Sequence, residues 1–415
     1  MPRNQTLLPF DDAVATTLGL ARRLPAEAVP LLRAQGRVLR GDVKSRITIP
    51  PFDKSAMDGY AVRVADVAEA TARRPAVLPV VEDLPAGRRT RRRLAAGTAA
   101  RIMTGAPLPP GAEAVVMQED TDRAGDQVRI ARPVTAGQNC GRAGEDVRRG
   151  DVVVFDGTVL GPAELGMIAA TGRDRVKVTR QPRVAVLSTG DEVTRPGGKL
   201  AAGKIFDANG YSLVGLARRV GAAARFLGIA RDRPGALESK LARAADAGAD
   251  VILLSGGVSV GDHDLVREQL TRHGFREVFW RVAMKPGKPS FLGRKGRRVV
   301  FGLPGNPVSV MVCFELLVRP YLQTLLGLPQ VGLPRLTATL TEPIARLRGP
   351  RRKFLRGHLD LTSGTPEITP YRNQKSGVLR SMVDCNALID VPGEATSLAT
   401  AATVTVLPLE APWPS

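Results

Sequence analysis

Cysteine, histidine and aromatic side chains are scarce in this sequence, and each scarcity excludes something. Cys140, Cys313 and Cys385 lie far apart with no CxxC pair, which rules out a disulfide framework or a zinc knuckle and fits a reducing cytoplasm. His263, His273 and His358 lack metal-ligand spacing. Aromatic residues make up 4% of the chain, too few to supply a stacking platform, and no nucleic-acid motif is present, so DNA and RNA are not expected partners. There is neither a GxxxxGKS/T loop nor a GxGxxG fingerprint, so P-loop and dinucleotide readings fall away. The apolar run Val308 to Val318 is interrupted by Glu315, and Asp11 and Asp12 stand near the start with no apolar leader region behind a basic one. Neither membrane insertion nor export is expected, and the cytoplasm is the expected location.

Negative charge is also in short supply. Sixty Lys and Arg against 40 Asp and Glu leave a net charge of +20 and a pI near 10.8. Such a surplus favours an anionic partner, whether nucleic acid, an acidic membrane or a phosphorylated small molecule. With the first two unsupported, an anionic small molecule is the expected ligand.

A chain of 415 residues is too long for one ordinary core and predicts two to four domains. Residues 1 to about 48 read as helix, from the apolar spacing of Phe10 to Leu20 and of the segment ending Leu31-Leu32, punctuated by Pro25 and Pro30. From Ile47 to Asp146 the runs become short and β-like, at Ala76 to Val81, Ala114 to Met117 and Gln127 to Ile130, which predicts an inserted, mainly β domain. A further helical patch spans Gly161 to Gly172 and is expected to pack against the N-terminal helices. Pro182 to Gly327 alternates strands (Val184 to Leu187, Ala224 to Ile229, Val251 to Leu254, Val299 to Phe301) with helices (Ala208 to Val220, Leu237 to Ala247, Asp264 to His273, Val308 to Leu326). That alternation predicts a parallel sheet covered by helices. From Val331 onward, runs such as Leu336 to Leu340 and Thr403 to Leu407, split by Pro and Gly, predict a small C-terminal β domain. The fold class is multidomain α/β.

The chemistry collects at strand ends. The stretch Asp250 to Asp264, DVILLSGGVSVGDHD, opens with an apolar strand, breaks into Ser255, Gly256 and Gly257, and then offers Ser259, Asp262 and Asp264 before a helix. Paired glycines let backbone N–H groups approach an anion. Three other strand ends feed similar turns: Ser188-Thr189-Gly190-Asp191-Glu192, Arg231-Asp232, and Gly302 to Pro307 with Pro304 and Asn306 inside it. Parallel topology brings all four to one crevice. Glu192, Asp232 and Asp264 could hold a Mg²⁺ ion beside substrate phosphate oxygens, or serve as helix caps and surface acids. In Met284-Lys285-Pro286-Gly287-Lys288-Pro289 two lysines share a tight turn and could face one anion, a pattern of phosphoryl or oxyanion chemistry that an ordinary basic loop would also display. Turn chemistry alone accounts for Asp58-Gly59 and Thr104-Gly105. The arginine run Arg88 to Arg93 carries no interleaved aromatics and reads as a solvated loop. Gly257-Val258-Ser259-Val260-Gly261 matches the nucleophile-elbow pattern, but the Ser255-Gly256-Gly257 spacer removes Ser259 from the strand end, against a hydrolase.

Together PPFDKSAMDGYAV, RIMTGAPLP, AVVMQED, GEDVRRGD, VAVLSTGDEV, SGGVSVGDHD, MKPGKP and FGLPGNPVS resemble the molybdopterin molybdenumtransferase family, comprising the MoeA proteins and the gephyrin E domain. The resemblance implies insertion of molybdate into adenylylated molybdopterin with release of AMP and assistance from Mg²⁺. It implies four domains: a helical one from residues 1–48 and 146–180, an inserted β domain at 49–145, an α/β domain at 181–329 and a C-terminal β domain at 330–415. It also implies a homodimer whose active site combines the α/β domain of one subunit with the inserted domain of the other. Carried over by position, Asp232 and Asp264 are the best Mg²⁺ candidates, with Glu192 beside them. Lys285 and Lys288 match lysines near molybdate and the pterin phosphate, and Ser309, Arg356 and Ser376 match the molybdate pocket. Ser188, Gly190, Asp191, Ser255, Gly256, Gly257, Ser259, Pro304, Asn306 and Pro307 contribute to substrate binding, and Asp58, Thr104 and Asp146 match the partner-subunit side. The sequence departs from the family pattern at His263, where an aromatic is common, and at Ala208, where serine is common. The pterin adenylyltransferase of the same pathway is an expected partner. An adenylyltransferase activity and a non-catalytic scaffold remain the alternatives.

Overall fold

The computed structural model describes residues 7–233, 235–257, 265–362 and 364–409. Two compact units emerge: Met1–Glu27, Gly36–Val38 and Lys177–Ser415 form the first, and Ala28–Gln35 with Leu39–Val176 the second.

At the centre of the first unit is a six-stranded sheet. Its strands are β1 (Arg183–Thr189), β2 (Ala223–Ala230), β3 (Val251–Ser255), β4 (Arg276–Trp280), β5 (Phe291–Lys295) and β6 (Arg298–Leu303), in the spatial order β2-β1-β3-β6-β5-β4. Every residue of β3 is buried. Its alternate side chains serve two cores: Val251 and Leu253 pack with Val184, Val186, Val299 and Phe301, whereas Ile252 and Leu254 pack with Ala185, Leu187 and Val300. Burial on both faces is why the run reads as continuously apolar, and each fully buried aliphatic side chain contributes about 1.5–3 kcal/mol. The first core also receives Phe10 and Ala13 from the helix Phe10–Leu20.

The sheet is mixed rather than parallel. β2, β1, β3 and β6 run parallel, but β5 is antiparallel to both β6 and β4. The segment 276–295 offers only its Pro-Gly turn to sequence reading, because the charged pairs Arg276-Glu277 and Arg294-Lys295 leave each five-residue strand too short an apolar run to show a period. The expected helix through residue 48 ends at Leu20. Pro25 precedes and Pro30 ends an extended segment, Ala26–Pro30, followed by a single helical turn at Leu31–Arg33, since proline withholds an amide donor and pushes the preceding residue out of helical geometry.

The stretch Pro307–Leu326 is long and apolar enough to cross a membrane, yet 83% of its apolar window is buried within the protein, so it is a core helix. Glu315 sits in a π-turn, Phe314–Val318, at its middle and is paired with Arg319 and Arg219. A fully buried carboxylate persists only with such partners.

The C-terminal part closes into a β-barrel. Arg352–Asp360 pairs with Glu367–Pro370 on one side and Ala387–Val391 on the other, and Leu336–Leu340 and Thr403–Pro408 complete the circuit. A two-residue strand, Met284–Lys285, leaves the α/β layer between β4 and β5 and joins this barrel, with Lys285 opposite Lys353 in parallel register.

The second unit holds a separate six-stranded sheet, in the order Ala114–Met117, Gly59–Val62, Ala99–Ile102, Ala76–Leu84, Gln127–Ile130 and Thr121–Ala124. The β runs expected at 76, 114 and 127 fall on strands of this sheet. Gly59 permits its close packing, since a Cβ there would lie 1.9 Å from the Val116 carbonyl oxygen. The helix Pro162–Ala170 packs against Val152–Val154 and the turn Leu31–Arg33. Its first turn is closed by the Glu164 carboxylate, which accepts the Gly161 amide at 2.8 Å.

Candidate active site

The parallel strands end in turns tied tightly to one another. Gly256 and Gly257, following β3, have φ of +89° and +68°. A Cβ on Gly256 would lie 2.9 Å from the Thr189 carbonyl oxygen, and one on Gly257 would lie 2.3 Å from the Val266 side chain. Both positions therefore require glycine. Thr189 Oγ1 donates to the Ser255 carbonyl at 3.2 Å, binding the ends of β1 and β3 together. Ser188 Oγ donates to Asp207 at 2.7 Å, and Asp207 also accepts the Gly210 amide at 2.9 Å.

The acidic corner lies after β1 and β2. The Asp191 amide donates to the Asp232 carboxylate and the Asp232 amide to the Asp191 carboxylate, both at 3.2 Å. Glu192 curls back over Gly190, whose absent Cβ would lie 2.5 Å from a carboxylate oxygen. The neighbouring cations do not neutralise these acids: Lys204 and Arg231 donate to the Asp191 backbone carbonyl at 2.8 and 2.9 Å. Asp191, Glu192 and Asp232 are thus exposed, with no ion-pair partner among the described residues. Among those residues no three acids, histidines or cysteines form a closed metal cage. An open pair of hard oxygen donors nevertheless suits Mg²⁺, which commonly takes one or two carboxylates and fills its shell with substrate oxygens and water. Ser259 and Asp264 lie outside the described residues.

Between the α/β layer and the barrel is a cavity of about 760 Å³. It gathers seven residues singled out from sequence: Lys285, Lys288, Pro304, Asn306, Ser309, Arg356 and Ser376. Pro307 opens the adjoining helix, Pro307–Cys313. Seven further cations were not anticipated as a group, except for Arg356 among them: Arg346, Arg348, Arg351, Lys353, Arg356, Arg372 and Lys375 join the two lysines, and no described carboxylate lines the cavity. The side chains of Lys285, Lys288, Arg346, Arg348, Arg372 and Lys375 have no acidic or hydrogen-bonding partner among the described residues. Nine cations around a concave space focus a strong positive field.

Three of these cations are committed to the protein, among them Arg351, which donates to the Met284 carbonyl at 3.3 Å. Arg356, 1% exposed, donates to the carbonyls of Asn373, Gln374 and Lys375 and to Ser381 Oγ, at 3.1–3.2 Å. It shapes the 373–375 wall from behind, and burial lowers its pKa. Lys353 donates to the carbonyls of Gly349 and Gly393 at 2.9 and 3.0 Å. Burial, reinforced by the nearby charges of Lys285 and Arg351, lowers its pKa as well. The missed signal was the close spacing of Arg346, Arg348, Arg351 and Lys353, which in sequence resembles any basic surface loop.

In the second unit Asp58 and Thr104, 46 residues apart, meet: the Thr104 amide and hydroxyl both donate to one Asp58 oxygen at 2.7 Å. These bonds, the hydroxyl's foremost, hold the Asp58 pKa below 3.8, because they stabilise the ionised form. Thr104→Val is therefore expected to raise the Asp58 pKa toward its ordinary value, measurable by NMR titration of the side-chain carboxyl. The Asp146 amide donates to the Ile49 carbonyl at 3.2 Å, and its side chain is exposed.

A sheet with glycine turns at its parallel strand ends, joined to a barrel that walls a cationic cavity, defines an α/β protein whose cavity suits a small, highly charged anion. Family models match nearly the whole chain: "MoeA N-terminal region (domain I and II)" at residues 8–172, "Probable molybdopterin binding domain" at 185–324 and "MoeA C-terminal region (domain IV)" at 337–409. A molybdopterin molybdenumtransferase 2 of Mycobacterium tuberculosis is 42% identical over 376 residues, covering 89% of this chain and 92% of its own. A molybdopterin molybdenumtransferase of a Nostoc species is 37% identical, covering 92% and 88%. The crystal structure of a molybdopterin biosynthesis MoeA protein from Pyrococcus horikosii superposes with a TM-score of 0.84 at 32% identity, covering 98% of this chain and 100% of that one. The chain belongs to the MoeA family.

Proposed function

We propose that this chain, a molybdopterin molybdenumtransferase of molybdenum cofactor biosynthesis, inserts molybdate into adenylylated molybdopterin and releases AMP as the final step. The observation that most supports this reading is the cavity lined by nine cations and no described carboxylate. A dianionic oxometallate beside a phosphorylated pterin needs such surroundings. Lys285 and Lys288 bind and orient the oxyanion, while the turns at Ser188 to Asp191 and Ser255 to Gly257 seat the organic part of the substrate. Capture of the metal falls to the dithiolene sulfurs of the substrate, so no protein nucleophile is required. A Mg²⁺ ion held by Asp232, with Glu192 and Asp264, would supply charge neutralisation at the pyrophosphate link.

The same reading includes the four-domain division, a cytoplasmic location, a homodimer in which Asp58, Thr104 and Asp146 face the substrate of the other subunit, and receipt of substrate from a pterin adenylyltransferase. The test is to combine purified protein with adenylylated molybdopterin, molybdate and Mg²⁺, following AMP release and activation of a cofactor-free molybdoenzyme. AMP release that needs both molybdate and Mg²⁺ is the expected result. Tight substrate binding without release would make the protein a carrier, and ATP-dependent adenylylation would make it the preceding enzyme.

A further inference from the structure

Asn209 opens the helix Asn209–Arg219, and both hydrogens of its side-chain amide are used. Its Nδ2 donates to Ser255 Oγ at 2.8 Å and to the Gly305 carbonyl at 2.7 Å. Ser255 ends β3 and is followed by the two obligatory glycines, while Gly305 lies in the turn after β6. One residue on, Asn306 Nδ2 donates to Ser376 Oγ at 3.0 Å, and the Val308 amide donates to the Ser376 carbonyl at 3.2 Å. Asn306 and Ser376 line the cationic cavity, which Asn209 does not touch. Polar contacts, joined by the Gly305–Asn306 peptide link, therefore lead from the glycine turn through Asn209 to the cavity wall.

We propose that Asn209 is a positioning residue for metal transfer, fixing the distance between the glycine turn at the end of β3 and the cationic cavity. The proposal rests on the function proposed above, in which those two places hold different parts of one substrate. A neutral amide suits this post because both neighbours present oxygens. An aspartate there would set a carboxylate against the Gly305 carbonyl and could keep only the Ser255 hydroxyl, which can rotate to donate.

Misplacing reacting groups by about 1 Å costs on the order of 100-fold in rate. Asn209→Asp, nearly isosteric, is expected to lower the rate of AMP release about 100-fold while leaving calorimetric binding of molybdate alone within about 3-fold of wild type. A wild-type rate in Asn209→Asp overturns the proposal. Hydrogen exchange gives a readout independent of turnover: molybdate should protect the amides of residues 255–257 in the wild type, and in Asn209→Asp protection should stop at Asn306. Protection that survives the substitution, or is missing from the wild type, also overturns it. If wild-type protein shows the Asn209-dependent protection but releases no AMP, the transferase reading fails while the coupling of the glycine turn to the cavity through Asn209 stands.

Discussion

Lys285→Met is expected to weaken molybdate binding about 30-fold without destabilising the protein. A hydrogen bond from an ionised donor to an anion contributes roughly 1.5–3 kcal/mol, and about 1.4 kcal/mol is tenfold in affinity. Lys285 has no protein partner to mask that contribution among the described residues. Its charge instead presses on Lys353, its neighbour in the strand register, whose pKa lies below 10.5 owing to burial and then to Lys285 and Arg351. A lysine whose folded pKa is lowered leaves the unfolded chain holding more protons. Stability then rises with pH across the interval between the lowered value and 10.5. Removing Lys285 relieves part of the repulsion, so the variant should show a shallower rise over that interval together with unchanged or slightly higher stability at neutral pH. Calorimetric titration with molybdate and thermal melts between neutral pH and pH 10 check both halves. Loss of binding accompanied by a lower melting temperature would show that Lys285 serves the fold instead. Lys288→Met should act in the same direction, and the wild-type affinity should fall with added salt as the cavity field is screened.

Arg356→Met should be the most damaging single change in the barrel, destabilising the protein by about 3–5 kcal/mol. Methionine fills comparable volume, so the expected loss comes from stranded acceptors. Three consecutive carbonyls and Ser381 Oγ turn toward the guanidinium, and the residue is 1% exposed, leaving no water to replace it. The 373–376 wall should loosen, and oxyanion binding should fall with it. Arg356→Lys should not rescue, since one ammonium cannot reproduce a planar fork reaching several acceptors. Denaturant unfolding and molybdate titration of the two variants test this, and a stable Arg356→Met protein with abolished binding would instead place Arg356 in direct contact with the anion.

Legibility from sequence followed the range of the interactions. β3 and the glycines after it were readable because a buried strand and an obligatory turn are both local, and the Lys285-Pro286-Gly287-Lys288 turn was readable for the same reason. The mixed sheet was hidden because Arg276–Trp280 and Phe291–Lys295 are short strands, each carrying two charged residues, with little period to detect. Helix was overread between Ala21 and residue 48 because apolar spacing outweighed Pro25 and Pro30. The barrel's share of the cavity could not be read locally at all. Arg346, Arg348 and Arg351 meet Lys285 and Lys288 only through barrel closure, and the pattern of each segment alone is that of a solvated loop. Asn209 is similarly unremarkable in sequence, and its importance lies in acceptors 46 and 96 residues away.

The two-residue strand that carries Lys285 into the barrel also bears on the timing of biosynthesis. A ribosome delivers the α/β layer well before Ala387–Val391 and Thr403–Pro408 emerge to close the barrel. Until then the 349 and 393 carbonyls that hold Lys353 are not both in place, and the barrel that carries seven of the nine cavity cations is not closed. A nascent or prematurely ended chain therefore lacks a complete cationic cavity, which belongs to the finished molecule alone.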